Sequence, residues 1–246
     1  MASFFERMQK FGRLYENNAP GYLRTHPLTT ERISDMENRI LNAHYRHVAD
    51  SADFQLVRAK LRAARGTPQE AVADFEFQLR ERKYLSEGAA RYGLAAAQVR
   101  AKNFAAAERQ VAELRSMKLV SPMVDTLAAD LRRMQGDPAG ALKIYREARS
   151  RYARNKALLY GQIDAQLADG QAQEALKTTT AELQLTPSDP ILHGLQARSY
   201  AALGKRLQQH RAQAELYVLQ GQLVASIQQL ELAQKAGDGD YFDHSQ

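Results

Sequence analysis

The sequence contains no cysteine and no tryptophan, and only 7 of its 246 residues are proline. The lack of cysteine excludes disulfide bonds and metal sites built on thiolates. No stretch approaches the roughly 18 consecutive apolar residues that a membrane-spanning helix needs, so we expect no transmembrane segment. Alanine, leucine, glutamine, arginine and glutamate are abundant instead. This composition is typical of a helical protein.

Charge is spread along the chain and is not gathered into one basic stripe. There are 34 basic and 28 acidic residues, which gives a net charge of +6. Short clusters such as residues 80–83 contain their own counter-charge. A nucleic-acid interface usually combines a basic stripe with stacking aromatic residues. The pattern therefore favours a solvated charged surface, and we expect no nucleic-acid partner.

A short motif recurs along the chain as GTPQEA (66–71), GDPAGA (136–141) and GQAQEA (170–175), with a looser copy, KNFAAA, at 102–107. Its final alanines are separated by 36, 34 and 34 residues, the period of helix–turn–helix repeats of tetratricopeptide type. Glycine ends one helix, Asp or Thr caps the next, and proline occupies its first turn. The small alanine suits a close helix crossing. We predict an all-α, tetratricopeptide-like, right-handed helical solenoid with a non-repeat N-terminal helical segment.

We predict three regions: residues 1–50 as the tail of another domain with a linker helix, 51–237 as the repeats, and 238–246 as a short C-terminal tail. Ser226 follows Ala175 by 51 residues, one and a half repeats, so we predict one extra helix. Helix 206–220 should then pack against the units on both sides. The predicted pairs are 52–65 with 68–83, 87–101 with 104–117, 122–135 with 138–152, 156–169 with 172–185, and 189–203 with 206–220, followed by a last helix at 222–236.

Residues 1–50 do not follow the repeat period. We predict an amphipathic helix at 3–17 and a second helix at 30–48. The start of the chain lacks the layout of a signal peptide, so we expect the sequence to be a piece of a longer protein. The first helix either folds back on the first repeat or has lost its partner, and we favour the second interpretation. Its large apolar residues are Phe4, Phe5, Met8, Phe11, Leu14 and Tyr15.

A distinctive segment joins these two helices. It reads Thr25-His26-Pro27, with Arg32 five residues further on. On the residues alone, His26 is an extended loop residue because proline follows it, and it hydrogen-bonds locally. The string FFERM at 4–8 precedes this segment, and the repeats follow it.

This arrangement resembles the C-terminal half of the bacterial periplasmic zinc metalloproteases of the beta-barrel assembly-enhancing type. In that family a protease domain with an HExxH motif is followed by a Thr-His-Pro segment with a downstream arginine, and then by a tetratricopeptide array. Residues 209–217 and 226–230 also look like that family's last repeats. The resemblance covers nearly all 246 residues. It implies a periplasmic location and places three residues near the zinc cleft of a longer parent: His26, Pro27 and Arg32.

The HExxH motif itself is absent from this sequence. Zinc proteases need its two histidines on one helical face, with the glutamate activating water. We therefore predict no catalytic residue, no metal site and no cofactor in this chain, and zinc only in the suspected parent. His44 and His47 have a spacing that suits a metal, but no carboxylate or third histidine lies nearby in sequence. They favour a surface pair.

We interpret the chain as a protein-interaction platform of such a protease in periplasmic protein quality control. Stacked helix pairs form a concave surface that suits extended or helical peptides. The resemblance implies outer-membrane β-barrel proteins or their assembly machinery as partners. The candidate contact residues lie on the first helices of the pairs: Tyr92, Arg133, Tyr160 and Asp164.

Two other functions remain open on the sequence. A stand-alone tetratricopeptide scaffold or chaperone cofactor is the alternative; such scaffolds usually capture a terminal carboxylate with a Lys/Asn/Arg cluster, which the sequence does not reveal. An enzyme in its own right would need a metal or nucleophile constellation assembled across repeats. No pattern in the sequence indicates one.

Overall fold

The computed structural model describes residues 29–41 and 50–238. The chain divides into two compact units, Met1–Asp50 and Ser51–Gln246. The described part of the first unit is one helix, α1 (Thr29–Leu41), and the described part of the second contains eleven helices and no strand. The prediction of an all-α repeat array is confirmed. The helices of the second unit are α2 (Ala52–Ala63), α3 (Pro68–Arg80), α4 (Glu87–Arg100), α5 (Phe104–Ser116), α6 (Pro122–Met134), α7 (Pro138–Arg151), α8 (Lys156–Ala168), α9 (Ala172–Leu185), α10 (Pro190–Ala202), α11 (Arg206–Leu219) and α12 (Leu223–Gln234).

The recurring motif ends one helix and starts the next, as its chemistry predicts. Gly66 and Gly136 adopt φ values of 60° and 85°, a left-handed conformation that glycine adopts without steric cost. Thr67 and Glu70 form a reciprocal capping box at the start of α3. Asp137 Oδ1 accepts a hydrogen bond of 2.8 Å from the backbone N–H of Gly140 at the start of α7. The turn between the helices of a pair is therefore specified locally.

The alanines of the motif lie where the helices cross. Ala71 is 6% exposed, and Ala107, Ala141 and Ala175 are completely buried. Ser226, which takes the corresponding place in α12, is 3% exposed. Side chains larger than these would force the paired helices apart. The prediction that the motif marks close crossings is confirmed.

Consecutive repeats are joined by contacts in which side-chain sizes complement each other. The residue four positions after each motif alanine is buried, and it alternates between large and small. Phe75 and Tyr145 are the large ones; each lies so close to a glycine, Gly93 or Gly161, that a Cβ atom there would overlap its ring. Val111 is small, and Leu127 packs against its core cluster. A large side chain on one side of these junctions thus faces a smaller one on the other.

The end of the array is built from three consecutive helices. Gly204 follows Gly170 by 34 residues, so α10 and α11 form a regular fifth pair and α12 is the additional helix. Helix α11 packs extensively against both α10 and α12, which confirms the contact predicted for helix 206–220. The Asp238 carboxylate accepts hydrogen bonds from the backbone N–H groups of Arg206 and Leu207, at 2.5 and 3.0 Å. It thus caps the start of α11 from the far end of α12.

Most predicted helix ends agree with the structure within a few residues. Helix α3 ends at Arg80, three residues earlier than predicted, because Arg82 has left the helical conformation with φ of 52°. Residues 42–48 of the predicted helix 30–48 and the whole predicted helix 3–17 lie outside the described residues. None of the helices in the described part of the chain is both long and apolar enough to cross a bilayer.

Candidate partner-binding surface

The first helices of successive pairs contact one another directly. Helix α8 packs against α6 on one side and against α10 on the other. Residues 34 positions apart therefore become neighbours across the array. We use the name first-helix surface for the polar side chains that these three helices place together: Asp130 and Arg133 on α6, Tyr160 and Asp164 on α8, and Arg198 on α10.

An ion pair joins two equivalent positions of this surface. Arg198 Nη1 donates a hydrogen bond to Asp164 Oδ1, and the two residues are 34 positions apart. The side chains are 59% and 33% exposed, respectively, so solvent screens the attraction and the pair adds little to stability. Both groups remain accessible to a partner.

Asp130 stands one repeat before Asp164 and is held more firmly. Its Oδ1 accepts a hydrogen bond of 2.8 Å from the hydroxyl of Tyr145 and lies 3.4 Å from Arg133 Nη2. Burial, together with the nearby Asp130 charge, raises the pKa of Tyr145, so this hydroxyl stays a donor. The Nε atom of Arg133 is buried and has no hydrogen-bond partner among the described residues. Asp130 and Arg133 are therefore positioned by the core behind them.

Tyr160 belongs to a network at the start of α10. Its hydroxyl and the Lys156 ammonium both donate to Asp189 Oδ2, each at 2.6 Å. Asp189 Oδ1 accepts from the backbone N–H groups of Ile191 and Leu192, which makes Asp189 the N-cap of α10. Asp189 is only 6% exposed, and burial by itself would raise its pKa. The hydrogen bonds outweigh burial and hold the pKa of Asp189 below its usual value.

The repeats can be assigned by comparison with known proteins. Residues 132–199, which run from the end of α6 into α10, match the tetratricopeptide repeat family. This part of the array is therefore similar to tetratricopeptide repeats. Stacked helical repeats present extended concave surfaces that bind other proteins.

The chain as a whole is similar to a larger protein. It is 25% identical over 228 residues to the beta-barrel assembly-enhancing protease of Yersinia pestis. The aligned region is 92% of this chain but 47% of that protein, so the chain spans about half the length of the curated relative it matches. The similarity to that protease therefore extends over most of the repeat region.

One predicted contact residue of the tetratricopeptide array is not at the surface. Tyr92 is 2% exposed and belongs to the core cluster that contains Phe75 and Leu94. Burial and the nearby Asp130 charge raise the pKa of Tyr92 to about 12. The prediction that Tyr92 contacts a partner is wrong, because its side chain is buried in this core cluster. Arg133 and Tyr160 are half-buried, and Asp164 remains accessible.

The residues predicted near a zinc cleft lie largely outside the described part of the chain. His26 and Pro27 are not in it, nor are His44 and His47; Arg32 lies in α1, and its side chain is not described. Across residues 29–41 and 50–238, no group of three or more metal-ligating side chains comes together. The relation of His26, Pro27 and Arg32 to a zinc site stays a prediction.

Sequence reasoning missed three of the residues that shape this surface: Asp130, Arg198 and Asp189. A signal was available for the first two, since Asp130, Asp164 and Arg198 follow one another at 34-residue steps. Asp189 also precedes Pro190, an arrangement typical of an N-cap followed by a first-turn proline. Its bond to Tyr160, 29 residues away, becomes visible only in the folded chain.

Proposed function

We propose that this chain is the protein-interaction platform of a zinc metalloprotease and binds substrates or outer-membrane assembly partners in periplasmic protein quality control. The similarity to the beta-barrel assembly-enhancing protease, over 92% of the chain, carries this proposal. The tetratricopeptide match supports the binding role. The name of the relative supports outer-membrane β-barrel proteins or their assembly machinery as partners.

The first-helix surface supplies chemistry that suits a polypeptide. It presents carboxylates and guanidinium groups across three helices. An extended polypeptide offers backbone donors and acceptors and side chains of both charges, and such groups can replace solvent at Asp164 and Arg198. The core fixes Asp130 and Arg133, so part of this surface is organised before binding.

Peptide hydrolysis is assigned to a different part of the parent. The HExxH motif is not in this sequence, so zinc and the activated water would belong to a catalytic domain outside it. In this scheme the repeats hold the partner and the catalytic domain cleaves it. The alternative is a stand-alone tetratricopeptide scaffold or chaperone cofactor, which would use the same surface without any protease.

Removing the exposed ion pair should weaken partner binding. Asp164→Ala combined with Arg198→Ala removes both charges together, so neither is left unpaired. For an unfolded outer-membrane β-barrel protein diluted from urea, we expect the Kd to rise about tenfold, equivalent to about 1.4 kcal/mol. Fluorescence anisotropy of the labelled β-barrel protein measures this, and the melting temperature should change little.

A second ion pair serves as the matched control. Glu108 on α5 and Arg132 on α6 have similar exposure, 39% and 51%, but their contact lies between a second helix and a first helix. Replacing both by alanine should leave the Kd unchanged. Equal binding by the wild type and the Asp164/Arg198 double variant would contradict the assignment of the first-helix surface. Equal affinity for an unfolded soluble helical protein would favour the scaffold alternative.

A further inference from the structure

A cavity of about 390 Å³ lies near the start of the array, between α2, the end of α3 and the start of α4. Buried side chains form its floor, among them Phe75 and Gln78. Among the described residues that line it, none is aspartate or glutamate. Four are cationic: Arg58, Arg62, Arg82 and Lys83. The cavity is separate from the first-helix surface.

The cavity lies where α2 carries an exposed arginine at a position that the next two repeats fill with core residues. The position eight residues before the turn residue is buried Leu94 in the second repeat and buried Ala128 in the third. In the first repeat it is Arg58, which is exposed. Helix α2 consequently packs mainly against α4 and makes little contact with its own partner, α3. A space lined by guanidinium groups takes the place of a closed core.

Arg82 occupies a position that ordinarily favours glycine. Its φ of 52° lies in the left-handed region, whereas five glycines adopt the same region in the described turns that connect two helices. A side chain there costs conformational free energy. The fold thus keeps a cation at the cavity mouth against the local preference of the backbone, a form of strain that is common at functional sites.

The four cations differ in how they are paired. Arg62 donates to Asp74 at 2.8 Å and to Gln78 at 3.2 Å, and it lies over the Phe75 ring. The Lys83 ammonium lies over the Phe77 ring, 5.1 Å from its centre.

The other two are unpaired. Within the described part of the chain, neither the Arg58 nor the Arg82 guanidinium group has a hydrogen-bond or ion-pair partner. The carboxylate of Glu87, at the start of α4, is already paired with Arg91 at 2.8 Å. Two free guanidinium groups therefore belong to a cavity whose described lining contains no carboxylate.

We infer that this cavity binds an acidic side chain of a polypeptide, with its carboxylate between Arg58 and Arg82. Guanidinium groups bind carboxylates through paired, charge-assisted hydrogen bonds. The apolar parts of the lining, including Tyr84 and the 78% exposed Leu85, provide contact for an apolar residue next to the acidic one. This inference depends on the proposed function in one respect: it takes the ligand to be a polypeptide.

The proposal can be tested with a labelled peptide that contains adjacent glutamate and leucine residues and an amidated C-terminus. Arg82→Gly should lower its affinity at least tenfold and at the same time raise the melting temperature, since glycine suits the left-handed backbone. Fluorescence anisotropy and thermal unfolding measure the two effects. Wild-type affinity should also fall as salt rises.

Lys102→Gly is the matched control. Lys102 has φ of 58° in the corresponding kind of turn, but it does not line the cavity. The Lys102→Gly substitution should raise the melting temperature, as Arg82→Gly does, but should leave the affinity for the peptide unchanged. Arg58→Ala should weaken binding, whereas the Asp164/Arg198 double variant should not. If the double variant still binds the peptide but no longer binds the unfolded β-barrel protein, the cavity and the first-helix surface are separate sites.

Three outcomes would overturn the inference. If both Arg82→Gly and Arg58→Ala leave the affinity for the peptide unchanged, the cavity does not bind the peptide. Displacement of the peptide by inorganic phosphate at the peptide's own concentration would identify a small-anion site. If the protein binds a peptide with a free C-terminus and no acidic side chains, but does not bind the amidated acidic peptide, the cavity is a site for terminal carboxylates.

Discussion

Replacing Gly161 by alanine should destabilise the protein, although alanine is the better helix former. A Cβ atom at position 161 of α8 would overlap the ring of Tyr145. That ring has no room to move, because Tyr145 is completely buried and its hydroxyl is bonded to Asp130. Overpacking a core costs about 1–3 kcal/mol, and the gain in helix propensity is about 1 kcal/mol. We expect a lower free energy of unfolding in urea denaturation followed by circular dichroism.

Gly194 offers the same substitution without the clash. It lies inside α10, and a Cβ atom there would meet only Leu216 Cδ2 at an ordinary contact distance of 3.5 Å. Gly194→Ala should therefore raise the free energy of unfolding by roughly 0.5–1 kcal/mol. A shift in the same direction for Gly161→Ala and Gly194→Ala would show that contact with Tyr145 does not decide the outcome.

Removing the Tyr145 ring should lower the free energy of unfolding more than Gly161→Ala does. Tyr145→Ala removes a buried ring and should cost about 3–5 kcal/mol. Tyr145→Val combined with Gly161→Leu imitates the neighbouring junction of Val111 and Leu127. Because large and small side chains then exchange places, the double variant should be more stable than the sum of its single variants predicts, by about 1–3 kcal/mol. Strict additivity would contradict the complementary packing of the repeats.

Loss of the Asp189 carboxylate should also lower the stability of the protein strongly. This buried side chain caps α10 and accepts hydrogen bonds from Tyr160 and Lys156. Asp189→Ala loses the cap, worth about 1 kcal/mol, and removes the partners of two polar groups, which costs about 1–3 kcal/mol. We expect the free energy of unfolding to fall by about 2–3 kcal/mol. Urea denaturation at neutral pH measures it.

The same carboxylate should make stability depend on pH in the acid range. The folded protein holds the pKa of Asp189 below its usual value, so the native state binds this proton less readily than the unfolded state does. The contribution is fully present above the unfolded pKa of about 3.9 and is lost as the pH falls through the lower, folded value.

Asp189→Asn isolates this effect, because it keeps an oxygen for the cap and removes the titration. Between about pH 5 and pH 2, its unfolding midpoint should fall less steeply than that of the wild type. Parallel curves for the two proteins would contradict the role of Asp189.

The repeat boundaries could be predicted because their determinants are local. Gly66 and Gly136 take the left-handed conformation that ends a helix, and Thr67 and Asp137 bond to backbone groups three residues away. Arg82 shows where this reasoning reaches its limit. Its residue type predicts a continued helix, but its backbone adopts the conformation expected of glycine.

The candidate site could be predicted only in part. Tyr92 and Tyr160 both lie on first helices, yet Tyr92 is buried and the hydroxyl of Tyr160 reaches Asp189 at 2.6 Å. Helical periodicity indicates which face of a helix a residue occupies, but not how much of that face the next repeat covers. Asp164 was correctly placed on a first helix, and its partner Arg198 was missed.

By itself, the sequence determined that the repeat region is an array of helix pairs with a step near 34 residues, because turns, caps and close crossings depend on residues that are near in the chain. The tertiary structure alone decided which side chains remain available. Tyr145 can be buried only because position 161 is glycine, and Arg58 lines a cavity because α2 packs mainly against α4. Both outcomes depend on the volume and charge of residues in neighbouring repeats, which a periodic pattern does not contain.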